Sequence, residues 1–317
     1  MRKVVKDELE SLDGVGAVTA EKLRRGGITC LRDLAALSTR ELLQRVEGIS
    51  EERAFAITRA AREKLGVGIV PAKVYLRGNA AKLTTGCSGL DAILKGGLEK
   101  GITELVGAYG TGKTQLCFQL CVTVQLPKEK GGLGGGAFFI DTEDTFSSTR
   151  IVEIARRFGM GEEVLENIYH AKALNTDHQM DLVEEAFNYV KYNNVKLVVV
   201  DSLTAHFRSE YVGREALVAR QQKLNRHIHQ LQRLFMLYDI VVVVTNQILD
   251  VPEYVPGTAN YKPAGGNIVA HGCTYRILLE KSKGLTKATI IDSPKHPRAS
   301  TYFAVKDEGI VDAEQKP

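Results

Sequence analysis

The chain has 317 residues, which suits one large domain with a small one and is short for three domains. Hydrophobic residues make up 44% of the chain, and the formal net charge of +4 permits a polyanionic partner without identifying one. Five cysteines without a C-x-x-C pair argue against a secreted disulfide scaffold, and no apolar run approaches the roughly 20 residues of a membrane-spanning helix. We therefore expect a cytoplasmic protein with no membrane partner.

The amino-terminal region, residues 1–65, is predicted to be a small all-α domain. Apolar residues recur there at three- and four-residue spacing from Asp7 onwards, and no alternating run indicates a strand. Residues 66–82 contain the stretch VGIVPAKVYLRGN, in which two glycines and a proline interrupt any helix. We interpret this segment as a linker.

The remainder, residues 83–317, is predicted to be an α/β core around a mainly parallel sheet. The nearly continuous apolar runs ITELVG, AFFID, KLVVVD and IVVVVTNQ are typical of strands buried on both faces. Helical stretches between these runs supply the crossovers that parallel strands require. Three later runs, YRILLEKS, KATIIDS and STYFAVKD, are joined by short polar turns and predict an antiparallel extension or edge.

A phosphate-binding loop is predicted between the run ITELV and the helical stretch TQLCFQLCVTVQL. The intervening sequence GAYGTGKT satisfies the pattern G-x-x-x-x-G-K-[ST] in the setting that gives the pattern its meaning. Glycines there let backbone N–H groups surround phosphates, and the following helix adds its positive dipole end. The predicted nucleotide-binding residues are Gly107, Ala108, Tyr109, Gly110, Thr111, Gly112, Lys113 and Thr114.

Further polar residues follow apolar runs, where the carboxyl ends of parallel strands place ligands. Lys113 is expected to reach the terminal phosphates, while Thr114 and Asp201 suit a Mg²⁺ ion and its water shell. Glu143 in IDTED suits the base that polarises the attacking water, although a carboxylate in this position can also cap a helix. Gln247, after IVVVVTN, is expected to sense the γ-phosphate by hydrogen bonding.

The motifs together resemble those of the archaeal RadA recombinases and their eukaryotic counterparts, within the RecA family. The resemblance rests on GAYGTGKT with KLTTGCSGLD, DSLTAHFRSEYVGREALVARQQKL, VTNQ and GGNIVAH, and it runs through nearly the whole chain. It implies a RecA-type P-loop ATPase core preceded by a helix-hairpin-helix domain. The implied activity is DNA-dependent ATP hydrolysis coupled to strand exchange by protomers polymerised on single-stranded DNA.

The resemblance also assigns individual residues. It makes Glu143 the catalytic glutamate, Asp201 the strand-end aspartate and Gln247 the sensor that opens the second DNA loop. Arg150 matches an arginine that lies against the adenine. Asp292 and Pro294 in IDSP match a cap that covers ATP from the neighbouring protomer, which implies a filament or ring with ATP sites between subunits.

Two segments resemble the DNA-binding loops of the family, residues 209–216 and 248–266. Arg214 and Arg220 match arginines that approach the DNA backbone, and such contacts would carry no sequence information. Other basic residues of the same helical stretch, Lys223, Arg226 and Arg233, are interpreted as a solvated helix face. Tyr254 and Tyr261 either stack on bases or pack locally.

The sequence LDGVG followed by AVTAEKLRRGGI resembles a helix-hairpin-helix motif. Gly14 and Gly16 would expose backbone N–H groups to a DNA phosphate there. A second and weaker copy, VEGISEERAFAI, either repeats this role or closes the small core. Single-stranded and double-stranded DNA are thus the expected partners, together with recombination mediator proteins.

Several positions depart from the family pattern. Val67 and Val70 stand where the family has an aromatic polymerisation anchor and a small residue, Glu215 replaces a glycine, and Asn267 replaces a histidine. These changes leave two hypotheses open. The first is a strand-exchange recombinase, and the second is a divergent paralogue that binds ATP and DNA and assists another recombinase.

Overall fold

The computed structural model describes residues 8–67, 69, 71–73, 81–250 and 261–313. Its internal contacts divide the chain into two compact units, residues 1–79 and 80–317. The division lies inside the predicted linker of residues 66–82. Among the helices of the described residues, none has the length and apolar character needed to cross a bilayer.

The amino-terminal unit is helical. Its helices are α1 (Ala17–Arg25), α2 (Leu31–Ala36), α3 (Thr39–Arg45) and α4 (Glu51–Lys64). Serines begin the last two helices, because the Ser38 side chain accepts from the Glu41 amide and the Ser50 side chain accepts from the Arg53 amide. A core of buried leucine, isoleucine, valine and alanine side chains holds these helices together.

The second unit is built on a twisted sheet that is parallel through its centre. Its strands lie in the spatial order β10-β9-β8-β7-β1-β5-β4-β2-β3, and β6 pairs with the end of β5. The strands are β1 (Gly101–Gly107), β2 (Gly136–Asp141), β3 (Ile168–Lys172), β4 (Val195–Asp201), β5 (Val241–Asp250), β6 (Tyr261–Pro263), β7 (Tyr275–Ser282), β8 (Leu285–Asp292), β9 (Ser300–Lys306) and β10 (Gly309–Asp312).

Helices cover both faces of this sheet, which explains the continuous apolar runs. Alternate residues of β5 enter two different cores, with Val241 and Val243 on one face and Val242 and Val244 on the other. The first face is covered by α5 (Ser88–Ile93), α6 (Lys113–Thr123) and α7 (Ser148–Arg157), and the second by α8 (Thr176–Tyr192), α9 (Ala205–Glu210), α10 (Leu217–Leu237) and α11 (Gly266–Gly272).

The prediction for YRILLEKS is partly wrong. This run forms β7, which pairs in antiparallel fashion with β8 but in parallel with β1, so it lies inside the sheet rather than in an antiparallel extension. The two later runs form the antiparallel part as predicted. Local patterns failed for β7 because the direction of a strand depends on a neighbour about 170 residues away along the chain.

The carboxyl-terminal strand is fastened to the start of α5 by Asp312. Its carboxylate accepts hydrogen bonds from the amide of Gly89 at 2.7 Å, the amide of Ser88 at 3.0 Å and the thiol of Cys87 at 3.1 Å. Burial opposes ionisation, but these donors lower the pKa of Asp312 to about 2. The ionised carboxylate therefore joins the two ends of this unit.

We predict that Asp312→Asn lowers the free energy of unfolding at pH 6, because the amide lacks the charge that these donors favour. The folded-state pKa is depressed below the ordinary value of 3.8. The stabilisation should therefore be complete above about pH 4 and should disappear as the pH falls through 2. Denaturant titrations between pH 7 and 2 measure this difference, and the exposed Asp239→Asn is the control. A difference that stays constant with pH would contradict the assignment.

Candidate nucleotide site and nucleic-acid interface

The phosphate loop lies between the end of β1 and the start of α6. Gly110 and Gly112 have positive φ angles of 73° and 92°, which favour glycine. A side chain at Gly107 would place its Cβ 2.4 Å from the carbonyl oxygen of Leu279, so this position also requires glycine. The turn and the helix amino terminus together form a cradle that fits phosphate groups.

Lys113 is held inside this turn. Its ammonium group donates to the carbonyl oxygens of Gly107 and Ala108, both at 2.9 Å. Burial lowers the pKa of Lys113, while the neighbouring carboxylates of Asp201 and Glu143 act in the opposite direction. The side chain is thus placed where a phosphate oxygen could replace the loop carbonyls as its acceptor.

Asp201 joins three elements around the cradle. It ends β4, and its carboxylate accepts from the hydroxyl of Thr114 at 2.7 Å and from the hydroxyl of Thr245 on β5. Burial raises the pKa of Asp201, although both hydroxyl donors act in the opposite direction. A hydroxyl at the start of α6 beside a strand-end carboxylate suits Mg²⁺, which binds one or two protein oxygens together with substrate phosphates.

Glu143 lies beside the same cradle, at the end of β2. Its carboxylate accepts from the hydroxyl of Ser202 at 2.8 Å and from the side-chain amide of Gln247 at 3.3 Å. Arg208 in turn donates to the side-chain amide oxygen of Gln247 at 3.4 Å. The structure therefore brings the predicted Glu143 and Gln247 into contact and leaves Glu143 exposed to solvent.

Sequence reasoning missed Ser202 and Thr245, which orient these two carboxylates. Both residues lie next to strand ends that the sequence analysis had predicted. Ser202 directly follows the run KLVVVD, and Thr245 directly precedes Asn246 and Gln247 in VTNQ. Ser202 is also fixed by its amide, which donates to the Thr142 hydroxyl at 2.7 Å. Hydroxyl residues beside strand-end carboxylates are thus a usable signal for this kind of site.

Arg150 lies on α7 with its guanidinium at the carboxyl-terminal hairpin. It donates to the side chain of Gln115 at 2.7 Å and to the carbonyl oxygens of Lys306 and Asp307, each at 2.5 Å. It also forms an ion pair with Glu153 at 3.0 Å. These partners fix the guanidinium close to the start of α6, while Tyr109 of the loop remains 95% exposed.

Comparison with known proteins agrees with this geometry. The family model described as Rad51 matches residues 76–313, and a SAM-like helix-hairpin-helix tandem matches residues 6–63. The chain is 44% identical over 319 aligned positions to the DNA repair and recombination protein RadA of Aeropyrum pernix, which covers 99% of both proteins. The chain belongs to the Rad51 family. The predicted resemblance and fold class are therefore confirmed.

In this Rad51-family chain, Asp292 and Pro294 lie away from the phosphate loop of their own molecule. Asp292 ends β8 opposite Arg276, towards the amino ends of the parallel strands, whereas the loop lies at their carboxyl ends. Both residues are exposed. Their predicted contact with nucleotide therefore requires a second copy of the chain.

The first predicted loop of this family member is shorter than expected, because Ser209 and Glu210 end α9. Arg214 is exposed in the remaining turn and Arg220 is half-buried on α10. Lys223, interpreted as part of a solvated helix face, is partly exposed and also has partners, since its ammonium group contacts Tyr211 at 2.7 Å and Asp177 at 2.6 Å. These contacts link the turn to α8.

The second predicted loop, residues 248–266, is described only at its two ends. The end of β5 pairs with β6 through Ile248 and Pro263, and Tyr261 begins β6. Tyr254 lies outside the described residues, as does Val70 of the linker. Val67, Glu215 and Asn267 are exposed, so their side chains are available for contacts with other molecules.

The amino-terminal unit contains the two hairpins that the tandem match implies. Gly14 adopts a positive φ of 82° and Gly16 precedes α1. A cavity of about 320 Å³ is lined by residues of both hairpins, among them Gly16, Lys22 and Gly48. The second hairpin therefore helps to close the core and also forms one continuous surface with the first hairpin.

We predict that Glu143→Gln retains nucleotide binding but slows ATP turnover by about 100-fold or more, because the amide keeps the shape and loses the basic carboxylate. Nucleotide affinity measured by calorimetry and turnover measured by phosphate release separate the two effects. Lys113→Ala is the comparison variant, and we expect it to lose nucleotide binding. Normal turnover in Glu143→Gln would refute the role of Glu143 as the base.

Proposed function

We propose that this protein is an ATP-dependent DNA recombinase, which assembles on single-stranded DNA and catalyses homologous pairing and strand exchange in recombinational repair. The observation that carries the proposal is the contact of Gln247 with Glu143 at 3.3 Å, at the point where β5 enters the second predicted DNA loop. Gln247, which we propose to sense the nucleotide, is thus adjacent in the chain to the entry of the second predicted DNA loop. Full-length similarity to a RadA protein favours this function over an accessory paralogue.

The nucleotide site fits ATP with Mg²⁺, and proteins of this family bind ATP. The proposed binding residues are those of the phosphate loop from Gly107 to Thr114, with Arg150 against the base. Thr114 and Asp201 would hold Mg²⁺, which neutralises phosphate charge when bound. Lys113 would donate to the terminal phosphates, and its burial strengthens that attraction.

Glu143 is the proposed base that orients and polarises the attacking water. The Ser202 hydroxyl fixes its carboxylate, and the Gln247 amide provides a second, longer contact. Gln247 is neutral, so it suits a sensing role better than proton transfer. Loss of the γ-phosphate would change what Gln247 contacts, and this change would begin at the base of the second loop.

The proposed assembly places Asp292 and Pro294 of one protomer over the nucleotide of the next. The support is that both residues are exposed and lie towards the strand ends opposite to the phosphate loop. A hydrolytic site completed by a neighbour makes turnover depend on assembly. Val67 in place of an aromatic anchor predicts that filaments of this chain rely on other contacts as well.

The proposed DNA-facing residues are Arg214 and Arg220 of the core and Gly14 and Gly16 of the amino-terminal domain. Arginine contacts to phosphates give affinity without sequence preference, as strand exchange between any sequences requires. On this proposal residues 1–65 form a DNA-binding domain, 66–82 a linker with the polymerisation segment, and 83–317 the ATPase core. The proposed setting is the cytoplasm, on DNA and with recombination mediator proteins.

We predict that single-stranded DNA stimulates ATP turnover of the wild-type protein and that the ATP-bound protein pairs homologous strands. The reason is that the loop entry and the proposed water-polarising residue are in contact. Turnover with and without DNA, followed by a strand-exchange assay, measures both steps. Electron microscopy with ATP and single-stranded DNA should show filaments. Stimulation without pairing, with short oligomers alone, would indicate an accessory paralogue instead.

We predict that Arg214→Ala weakens DNA binding and reduces the slope of log affinity against log salt concentration by about 1, because one phosphate contact is removed. Binding of labelled single-stranded DNA at several salt concentrations measures the slope. Arg226→Ala removes an exposed arginine of α10 and is the matched control, which should change the slope less. Equal slopes for wild type and Arg214→Ala would contradict the loop assignment.

A further inference from the structure

Asn246 is a fully buried polar side chain near the end of β5. Strand residues alternate between the two faces of a sheet. Thr245 and Gln247 therefore face the phosphate loop, where they contact Asp201 and Glu143. Asn246 faces the opposite side, with Val244. Consecutive residues of one strand thus reach the nucleotide site and the layer beneath the predicted DNA loops.

The Asn246 amide makes all four hydrogen bonds of which it is capable. Its oxygen accepts from the Thr204 hydroxyl at 2.9 Å and from the main-chain amide of Gln247 at 3.0 Å. Its nitrogen donates to the carboxylate of Glu104 at 2.7 Å and to the carbonyl of Ala264 at 2.8 Å. Because the last two partners are acceptors, the network fixes which amide atom is nitrogen.

These four partners come from different parts of the site. Ala264 lies where the chain returns from the second loop, and its amide also donates to the Gln247 carbonyl at 2.9 Å. Thr204 immediately precedes α9, which leads to the first loop. Glu104 is buried in β1 and receives a hydrogen bond from Arg276 at 2.6 Å. The buried ion pair holds the amide in one orientation, because turning it would leave Glu104 facing an oxygen.

We propose that Asn246 is the positioning residue that couples Gln247 to the two DNA-facing loops. A movement of the Gln247 main chain displaces the N–H group that donates to Asn246. The Asn246 side chain is also hydrogen-bonded to Ala264, where the chain leaves the second loop, and to Thr204, before the helix that leads to the first loop. The inference rests on the proposed function, because it describes a route between the nucleotide and DNA sites proposed above. Asn246 itself lies on the sheet face opposite to the residues that contact Asp201 and Glu143.

Asn246→Asp is the sharpest test of this route. Aspartate has the same shape and retains the acceptor for Thr204 and Gln247, but it has no N–H donors. It would place a carboxylate 2.7 Å from that of Glu104 and leave the Ala264 carbonyl without this donor. The variant therefore interrupts the link to the second loop while the residues that contact nucleotide stay unchanged.

The experiment uses the full chain with a fluorescent reporter. The chain has no tryptophan, so Lys262→Trp, at an exposed position of β6, supplies a single one. We expect the non-hydrolysable analogue AMP-PNP with Mg²⁺ to change the emission of this reporter. In Lys262→Trp with Asn246→Asp, the change should be at least about fivefold smaller, the lower end of typical coupling factors. Analogue affinity without DNA should stay within about threefold.

The matched control is Val244→Ala, which should keep the emission change. Val244 lies two residues before Asn246 on the same face of β5 and is fully buried. An undiminished change in Asn246→Asp overturns the proposal, as does an equal loss in Val244→Ala or a reporter that never responds to nucleotide. If Asn246→Asp does not fold, Thr204→Val replaces it. Removing that one donor should reduce the change at least about twofold, and no reduction would overturn the proposal.

The reporter experiment contains no DNA, so its outcome is separate from that of the proposed function. Failure of wild-type protein to pair strands would refute the recombinase while leaving the response of the second loop to nucleotide measurable. Strand pairing with an unchanged reporter signal in Asn246→Asp would refute the role of Asn246 alone.

Discussion

The candidate nucleotide site depends on the hydrogen bonds that the carboxylate of Asp201 accepts. This carboxylate is buried at the end of β4, and it accepts from the hydroxyl of Thr114 at the start of α6 and from the hydroxyl of Thr245 on β5. The register of the parallel strands places Asp141 beside Asp201 and Gly107 beside Gln247. A shift of one residue in either pairing would turn these side chains to the other face of the sheet. Packing of the two apolar cores requires this register, and the register brings the carboxyl ends of β1, β2, β4 and β5 together at one edge of the sheet.

The same alternation explains how a sheet can serve two sites. Both faces of β5 are covered by helices, and its valines divide evenly between the two cores. At the end of the strand the valines give way to polar residues, and the two faces receive different ones. Burying an amide or a carboxylate without hydrogen-bond partners costs free energy. Here Asn246 donates to Glu104 and to the carbonyl of Ala264, and Glu104 also accepts from Arg276. Removing one partner of a buried ion pair such as that between Glu104 and Arg276 typically costs about 3–5 kcal/mol, so this polar layer holds Ala264, where the chain returns from the second loop, firmly in place.

The sequence was sufficient for features that depend on local pattern. GAYGTGKT between a strand and a helix located the phosphate loop, and continuous valine runs indicated strands buried on both faces. It was insufficient where distant segments decide. The direction of β7 depends on β1, and β3 has no buried residue, so local pattern predicted neither the place of β7 in the sheet nor the existence of β3. Ser202 and Asn246 stand beside residues that the sequence had marked, but their partners Glu143 and Glu104 lie about 60 and 140 residues away, so local pattern could not predict these contacts. The families matched by the chain supply the missing long-range information, because their members share the fold.

The position of Asp292 constrains how copies of this chain would associate. A residue that faces the amino ends of the parallel strands can reach a phosphate loop at their carboxyl ends only on another molecule. On the proposed role, each protomer would then present one surface to the copy before it and a different surface to the copy after it. Such a heterologous contact cannot close into a two-fold dimer, and it generates a ring or an open helical filament according to the rotation between copies. On the same proposal, a filament would suit a polymeric partner such as DNA, since every added protomer would complete a neighbour's ATP site and extend the row of predicted DNA-binding loops.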